Sequence, residues 1–326
     1  MPEMILQNAT AAFGRDITLM SGGFNVMSLS FLVASDSCSG MSGKLANIIR
    51  QIFTSAVQIT SVTPLEAHLH PICLIMLSNG VQLLLKCSPA PLTPLLRREQ
   101  SMLETEGRAL TLLEQSGLWG IPKIFHHSSQ RTSHQSGFLL RQYINGVTLE
   151  EAEPGLTAQE RKDIDRSLGS LARQVGQHVS QAFGTLEQVA NGSGRRSWRD
   201  AFTTLFESIL RDSEDVFVNL PYTELRHQVC RLSPALDEVR LPQLVVIDFG
   251  RPSQVLLDPV SKTLSGIVDF GKALWGDIYM AEVFEHPSSS ILDGFGISCM
   301  QTKAGEMRQL LYVIFGRPRW IPVDHN

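Results

Sequence analysis

The chain has no Cys-x-x-Cys pair, no excess of basic charge and no long apolar run. Its cysteines, Cys38, Cys73, Cys87, Cys230 and Cys299, are odd in number and widely spaced, which argues against a disulfide framework and for five reduced thiols. Twenty-eight Lys and Arg stand against 32 Asp and Glu, a net charge of −4, so no basic field favours nucleic acid. No uninterrupted apolar stretch reaches the length of about 18 residues that reads as a membrane span. The N-terminal "MPEMILQNATAAFGRD" lacks the basic start and apolar core of a signal peptide, so the expected location is cytoplasmic. Charged residues are scarce at 18% and apolar ones make up 43%, enough for one large domain or two lobes around a sizeable core.

What the chain does have begins with punctuation. Residues 17–33 read as strand, Gly-Gly turn and strand, and "KLANIIRQIF" reads as a short helix through Leu45, Ile48, Ile49 and Phe53. Two apolar runs, Ile72–Leu77 and Val81–Lys86, flank Ser78-Asn79-Gly80, a strong short-range hairpin signal. The helical stripe Met102, Ala109, Leu110 and Leu113 follows, and Glu106 falls on it while Glu104 points elsewhere. "GFLLRQYINGVTL" predicts a strand and a connector. Helices follow: one behind a capping box at Thr157 and Glu160, one over "WRDAFTTLFESILRD", a weaker one near Tyr222–Leu232, and one near Glu306–Ile314.

The segment from Leu244 to Asp277 holds Asp-Phe-Gly twice, at Asp248-Phe249-Gly250 and Asp269-Phe270-Gly271. Between them "VLL" and "LSGIV" pair as a hairpin around Asp258–Lys262. That hairpin brings both aspartates to one edge. Neighbouring carboxylates repel unless a cation neutralises them, and Mg²⁺ with phosphates suits such a hard-oxygen site. Taken alone, both aspartates could equally be turn formers at strand ends.

The run "QVLLDP…LSGIVDFGKALWGD" resembles the aminoglycoside/choline phosphotransferase family of the protein-kinase-like fold, in a divergent, fungal-type form. The resemblance implies an α+β, two-lobe architecture: an extension over 1–57, a β-rich N-lobe over 58–144, and a mainly helical C-lobe over 145–326. It implies ATP and Mg²⁺, with Asp248 as the residue that orients the acceptor hydroxyl and takes its proton. Asp269, with Gln254 or Ser253, would hold the metal. Lys86 would contact the phosphates and Glu106 would hold Lys86. A lysine at a strand end can also be simply solvated.

Three departures accompany the resemblance. Val246 stands where the family has His. Ser253 and then Gln254 stand near the position of its metal-binding Asn. The phosphate-covering loop is either "TPLEAHLHPI", which has no glycine, or "SGGFN" at Ser21–Asn25, far from Lys86 in sequence. His68 and His70 in the first of these read as a half-buried strand edge, and His126-His127 as a loop.

Two functions follow as expectations. One is an ATP/Mg-dependent phosphotransferase acting on a small-molecule alcohol, as in secondary metabolism. The other is a catalytically impaired, pseudokinase-like protein that binds a nucleotide, a metabolite or a protein partner. Neither calls for nucleic acid or a membrane.

Overall fold

The computed structural model describes residues 42–54, 56–67, 69–90, 93, 95–128, 137–297 and 302–316. The strand–turn–strand expected over residues 17–33, the "SGGFN" loop, His68, Cys38 and Cys299 lie outside them.

The N-terminal half is built on one antiparallel sheet. Its strands are β1 (Ile59–Leu65), β2 (Ile72–Leu77), β3 (Gln82–Cys87), β4 (Ile124–Ser128) and β5 (Phe138–Gln142), in the order β1-β2-β3-β5-β4. The β2–β3 hairpin turns at Asn79-Gly80. Gly80 takes φ +81°, and the Asn79 side chain accepts from Val81 N at 3.2 Å, which fixes the register that sets Ile72 opposite Lys86. Helix α1 (Ser42–Ile52) lays Leu45, Ile48 and Ile49 onto this sheet, against Ile75, Leu83 and Phe138. It is therefore part of the N-terminal core, although its sequence lies in the segment assigned to an extension. Helix α2 (Met102–Glu114) crosses the other side, and His127 is on β4 rather than in a loop.

Cys73 on β2 is disulfide-bonded, which corrects the reading of five reduced thiols; Cys87 and Cys230 are free.

After β5 the chain runs through β6 (Val147–Thr148) and α3 (Leu149–Ala152) into helical structure. Helix α4 (Ala158–Gly176) starts on Thr157, whose side chain and that of Glu160 form the expected reciprocal cap. Strand β7 (Gly184–Thr185) and α5 (Leu186–Ala190) lead to α6 (Trp198–Asp215) and α7 (Tyr222–Leu232). Two small sheets then frame the double Asp-Phe-Gly. Strand β8 (Gln243–Val246) pairs with β11 (Ala273–Gly276), which pairs with β7; β9 (Val255–Leu257) lies between β10 (Leu264–Ile267) and β6. The β9–β10 turn is held by Asp258, whose carboxylate accepts from Val260 N and Ser261 N at 2.9 and 2.7 Å. Helices α8 (Ser289–Phe295) and α9 (Lys303–Gly316) follow, α8 packing on α4. The core centres on Trp198, Phe202, Phe249, Phe270 and Phe284.

The β3–α2 connection also reaches the C-terminal half. Arg97 donates through its backbone N and its guanidinium to Asp212 on α6, at 3.2 and 2.7 Å, and pairs with Asp215 at 2.6 Å. Among the described residues no helix is long and apolar enough to cross a membrane.

Candidate active site

Both Asp-Phe-Gly triplets sink their phenylalanine into the core: Phe249 and Phe270 are 2% and 0% exposed. In the first, Gly250 takes φ +88°, and a Cβ there would lie 2.7 Å from Val283, so only glycine fits. In the second the left-handed residue is Asp269 itself, at φ +68°. Aspartate tolerates that region because its side chain can bond locally, and here Oδ1 accepts from Gly271 N at 3.2 Å.

The sheet and α2 deliver the remaining groups. Lys86, on β3, donates to Glu106 Oε2 at 2.6 Å and approaches Asp269 Oδ1 at 3.4 Å. Glu106 is fully buried and Lys86 nearly so. Burial alone would lower the Lys86 pKa, but Glu106 and then Asp269 together raise it above its ordinary value. For Asp269 burial pushes up most strongly, but the Lys86 charge, the Gly271 N–H and the Lys272 charge together bring its pKa below the ordinary value. Its side chain is 36% exposed.

Arg141 is a member that sequence reasoning missed. It is on β5, 5% exposed, with Nε 3.4 Å from Glu106 Oε1. One carboxylate thus faces two buried cations. The available signal was a lone arginine inside the apolar run "FLLRQ", which burial obliges to find a counter-charge.

Asp248 is also buried, at 5% exposure, and both of its oxygens are engaged. Arg251 Nη2 donates to Oδ1 and Lys272 Nζ to Oδ2, each at 2.7 Å. Arg251 is held in turn by Glu282, through Nε at 3.1 Å and Nη2 at 3.0 Å. Val246 is buried in β8 opposite Ala273, so the position where the resembled family has His contributes packing.

Of the two residues near the expected amide position, the structure brings Gln254 to Asp269: Nε2 lies 3.5 Å from Oδ2. Ser253 is exposed on the same turn. Gln254 Oε1 is buried without a hydrogen-bond partner. An amide flip exchanges its O and N, which turns an oxygen donor toward the Asp269 carboxylate. With the amide turned that way, its oxygen beside the Asp269 carboxylate fits a hard cation such as Mg²⁺, which binds through one or two protein oxygens and leaves its other positions to phosphates and water.

The segment between β1 and β2, residues 66–71, contains no glycine. His70 at its end is buried at 5% exposure rather than half-buried at an edge. Beside Asp248 lies a cavity of about 330 Å³ lined by Tyr279, Glu282, Glu285, Gln309 and Tyr312. Its wall is fixed by Asp277, which accepts from Tyr312 Oη at 2.7 Å and lies 3.3 Å from Arg308 Nε; Trp198 Nε1 donates to the same Tyr312 hydroxyl at 2.9 Å.

Three histidines of the N-terminal half give this region a pH dependence. Burial lowers the pKa values of His70, His126 and His127; for His70 the nearby Lys86 charge adds to it. Below the ordinary histidine pKa of about 6.5 the unfolded chain binds protons that the folded chain does not. Stability from these groups is therefore complete above that pH and falls as pH drops toward the depressed folded values. Urea denaturation at a series of pH values from 7.5 to about 5 should show a declining midpoint, with a shallower decline in His70→Gln.

No protein-family model matches the chain, and no curated protein matches its sequence. Solved structures do match its architecture. A thermostable mutant of aminoglycoside phosphotransferase APH(4)-Ia, in ternary complex with ADP and hygromycin B, aligns with a TM-score of 0.58 at 14% identity, over 84% of this chain and 88% of that one. The GDP complex of aminoglycoside 2'-phosphotransferase-IIIa aligns at 0.57 and 17% identity, over 84% and 88%. Aminoglycoside-3'-phosphotransferase of type VIII aligns at 0.53 and 15% identity, over 86% and 98%. The chain thus has the two-lobe, α+β protein-kinase-like fold seen in the aminoglycoside phosphotransferases.

Proposed function

We propose that this protein is an ATP- and Mg²⁺-dependent phosphotransferase acting on a hydroxyl of a small molecule. The observation that carries the reading is the position of Lys86. It bridges Glu106 on α2 and Asp269 beyond the β9–β10 hairpin, 183 positions away, and so sets a cation between the two lobes where nucleotide phosphates would lie. The nucleotide complexes and aminoglycoside ligands of the similar structures support it by analogy of fold.

In this reading residues 58–144 form the nucleotide side, and 145–326 carry the catalytic and metal loops. Lys86 contacts the phosphates and is aimed by Glu106. Asp269 and Gln254 hold Mg²⁺, with Ser253 the weaker alternative. When bound, the metal supplies neutralisation of phosphate charge. Asp248 faces the cavity of about 330 Å³ and orients the acceptor hydroxyl, accepting its proton. Two of its neighbours are cations that hold both of its oxygens in place, so its larger contribution is orientation. The acceptor is an alcohol small enough for that cavity, and a secondary-metabolic alcohol fits the reading.

The second reading is a binding protein without turnover. It is favoured by one observation, the engagement of both Asp248 oxygens by Arg251 and Lys272. Calorimetry with ATP, with and without Mg²⁺, on the wild type and on Asp269→Ala addresses both readings. Binding that requires Mg²⁺ and weakens at least tenfold in Asp269→Ala is expected. No binding at millimolar ATP would remove both the enzyme and the nucleotide-binding alternative.

A further inference from the structure

A second cavity, of about 50 Å³, is lined in part by Leu103 and Glu104 of α2. By the same measure one water needs about 10–15 Å³, so it has room for a group of a few heavy atoms. Among the described residues its polar lining comes from His70, Ser88, Glu99, Gln100, Glu104, His127 and Ser128, with no lysine or arginine.

The hydrogen bonding around it is incomplete in one direction. His70 Nδ1 lies 3.0 Å from Cys87 O. A carbonyl only accepts, so Nδ1 carries the proton, and the neutral ring leaves a lone pair on Nε2. That Nε2 has no hydrogen-bond partner, although His70 is 5% exposed. Glu104 gives Oε1 to Arg108 at 2.8 Å, while Oε2 makes no hydrogen bond. His127 Nε2 is 3.2 Å from Glu104 Oε2 and is likewise unsatisfied. Two of these three atoms can act only as acceptors, and a buried acceptor without a donor carries its full desolvation penalty. The set calls for a compact group rich in N–H donors and bearing positive charge. Among the described residues no three His, Cys, Asp or Glu side chains are grouped closely enough to hold a metal ion.

We propose that this cavity binds a primary alkylammonium group, which donates to His70 Nε2 and Glu104 Oε2. Among the described residues its lining includes none of Lys86, Glu106, Asp248 and Asp269, but α2 serves both places. Glu104 and Glu106 are two residues apart, about 200° around the helix axis, so one faces the cavity and the other faces Lys86. An amine seated on Glu104 would restrain the helix that carries Glu106.

The test is thermal unfolding of the full chain in methylammonium, tetramethylammonium or potassium chloride at equal ionic strength. Methylammonium alone should raise Tm, saturably, by about 2 °C at tenfold excess over half-saturation. Glu104→Gln, which keeps the side-chain shape, should abolish the rise. In ¹⁵N-histidine spectra of the wild type the His70 Nε2 resonance should move over the same titration, a readout that does not depend on the variant folding. An equal rise with tetramethylammonium, which has no N–H, or with potassium would overturn the proposal. So would a rise that never saturates, a rise undiminished in Glu104→Gln, or a wild type that shows neither the Tm gain nor the resonance shift.

Discussion

Glu106→Gln should destabilise the fold by about 3–5 kcal/mol, the usual cost of removing one partner from a buried ion pair. Glu106 is fully buried and faces both Lys86 and Arg141. Its loss leaves two cations in the sheet–helix interface with only Asp269 nearby, and Asp269 reaches Lys86 alone. The glutamine amide keeps the packing volume, so cavity formation does not contribute. Urea denaturation measures the loss as a drop in midpoint at an unchanged slope. Arg141→Met in the same background should recover part of it, because among the described residues Arg141 has no other carboxylate. A loss below about 1 kcal/mol would mean that Glu106 is not the counter-charge of this cluster.

Asp248→Asn should lower phosphotransfer by about 100- to 10,000-fold, the range for removing a positioned proton acceptor. Nucleotide affinity should change little, because nucleotide contacts in this reading run through Lys86, Asp269 and Gln254. The two effects separate cleanly. Calorimetry reports Mg-nucleotide binding, and a coupled ADP-release assay on an accepted alcohol reports turnover. Asparagine also loses the charge that Arg251 and Lys272 share, so some stability goes with it; Arg251 retains Glu282. Turnover unchanged in Asp248→Asn would place the proton acceptor elsewhere.

Much of the fold was legible because it is signalled locally. Asn79-Gly80 fixed one hairpin and Asp258 the other, and Thr157 with Glu160 marked the start of α4. The position of Glu106 on an apolar stripe indicates its burial from sequence alone. What escaped was non-local. Strand β11 carries no local strand signal because "ALWG" is short and acquires its ladder only from β8 and β7. Helix α1 looked detachable because its partners, Ile75 and Phe138, lie far along the chain. Arg141, Arg251 and Lys272 drew no notice because spacing does not show which carboxylate a cation will meet. His127 was read as a loop residue because the strand that orders it, β5, comes later in the chain.

The Arg97 clasp bears on how the two lobes can move. A chain joined only through its connector after β5 could swing open about a single point. Here the strap before α2 is anchored a second time, by a backbone amide and a guanidinium, on a buried carboxylate of α6. The clasp adds to the Lys86–Asp269 pair and to the Ile267 N–H that donates to Gly120 O at 2.8 Å, so opening the halves means breaking several separate ties. Wide gaping requires the clasp to release. Exchange of anything held in the cleft is then coupled to ionic strength through a contact that touches neither ligand nor cleft.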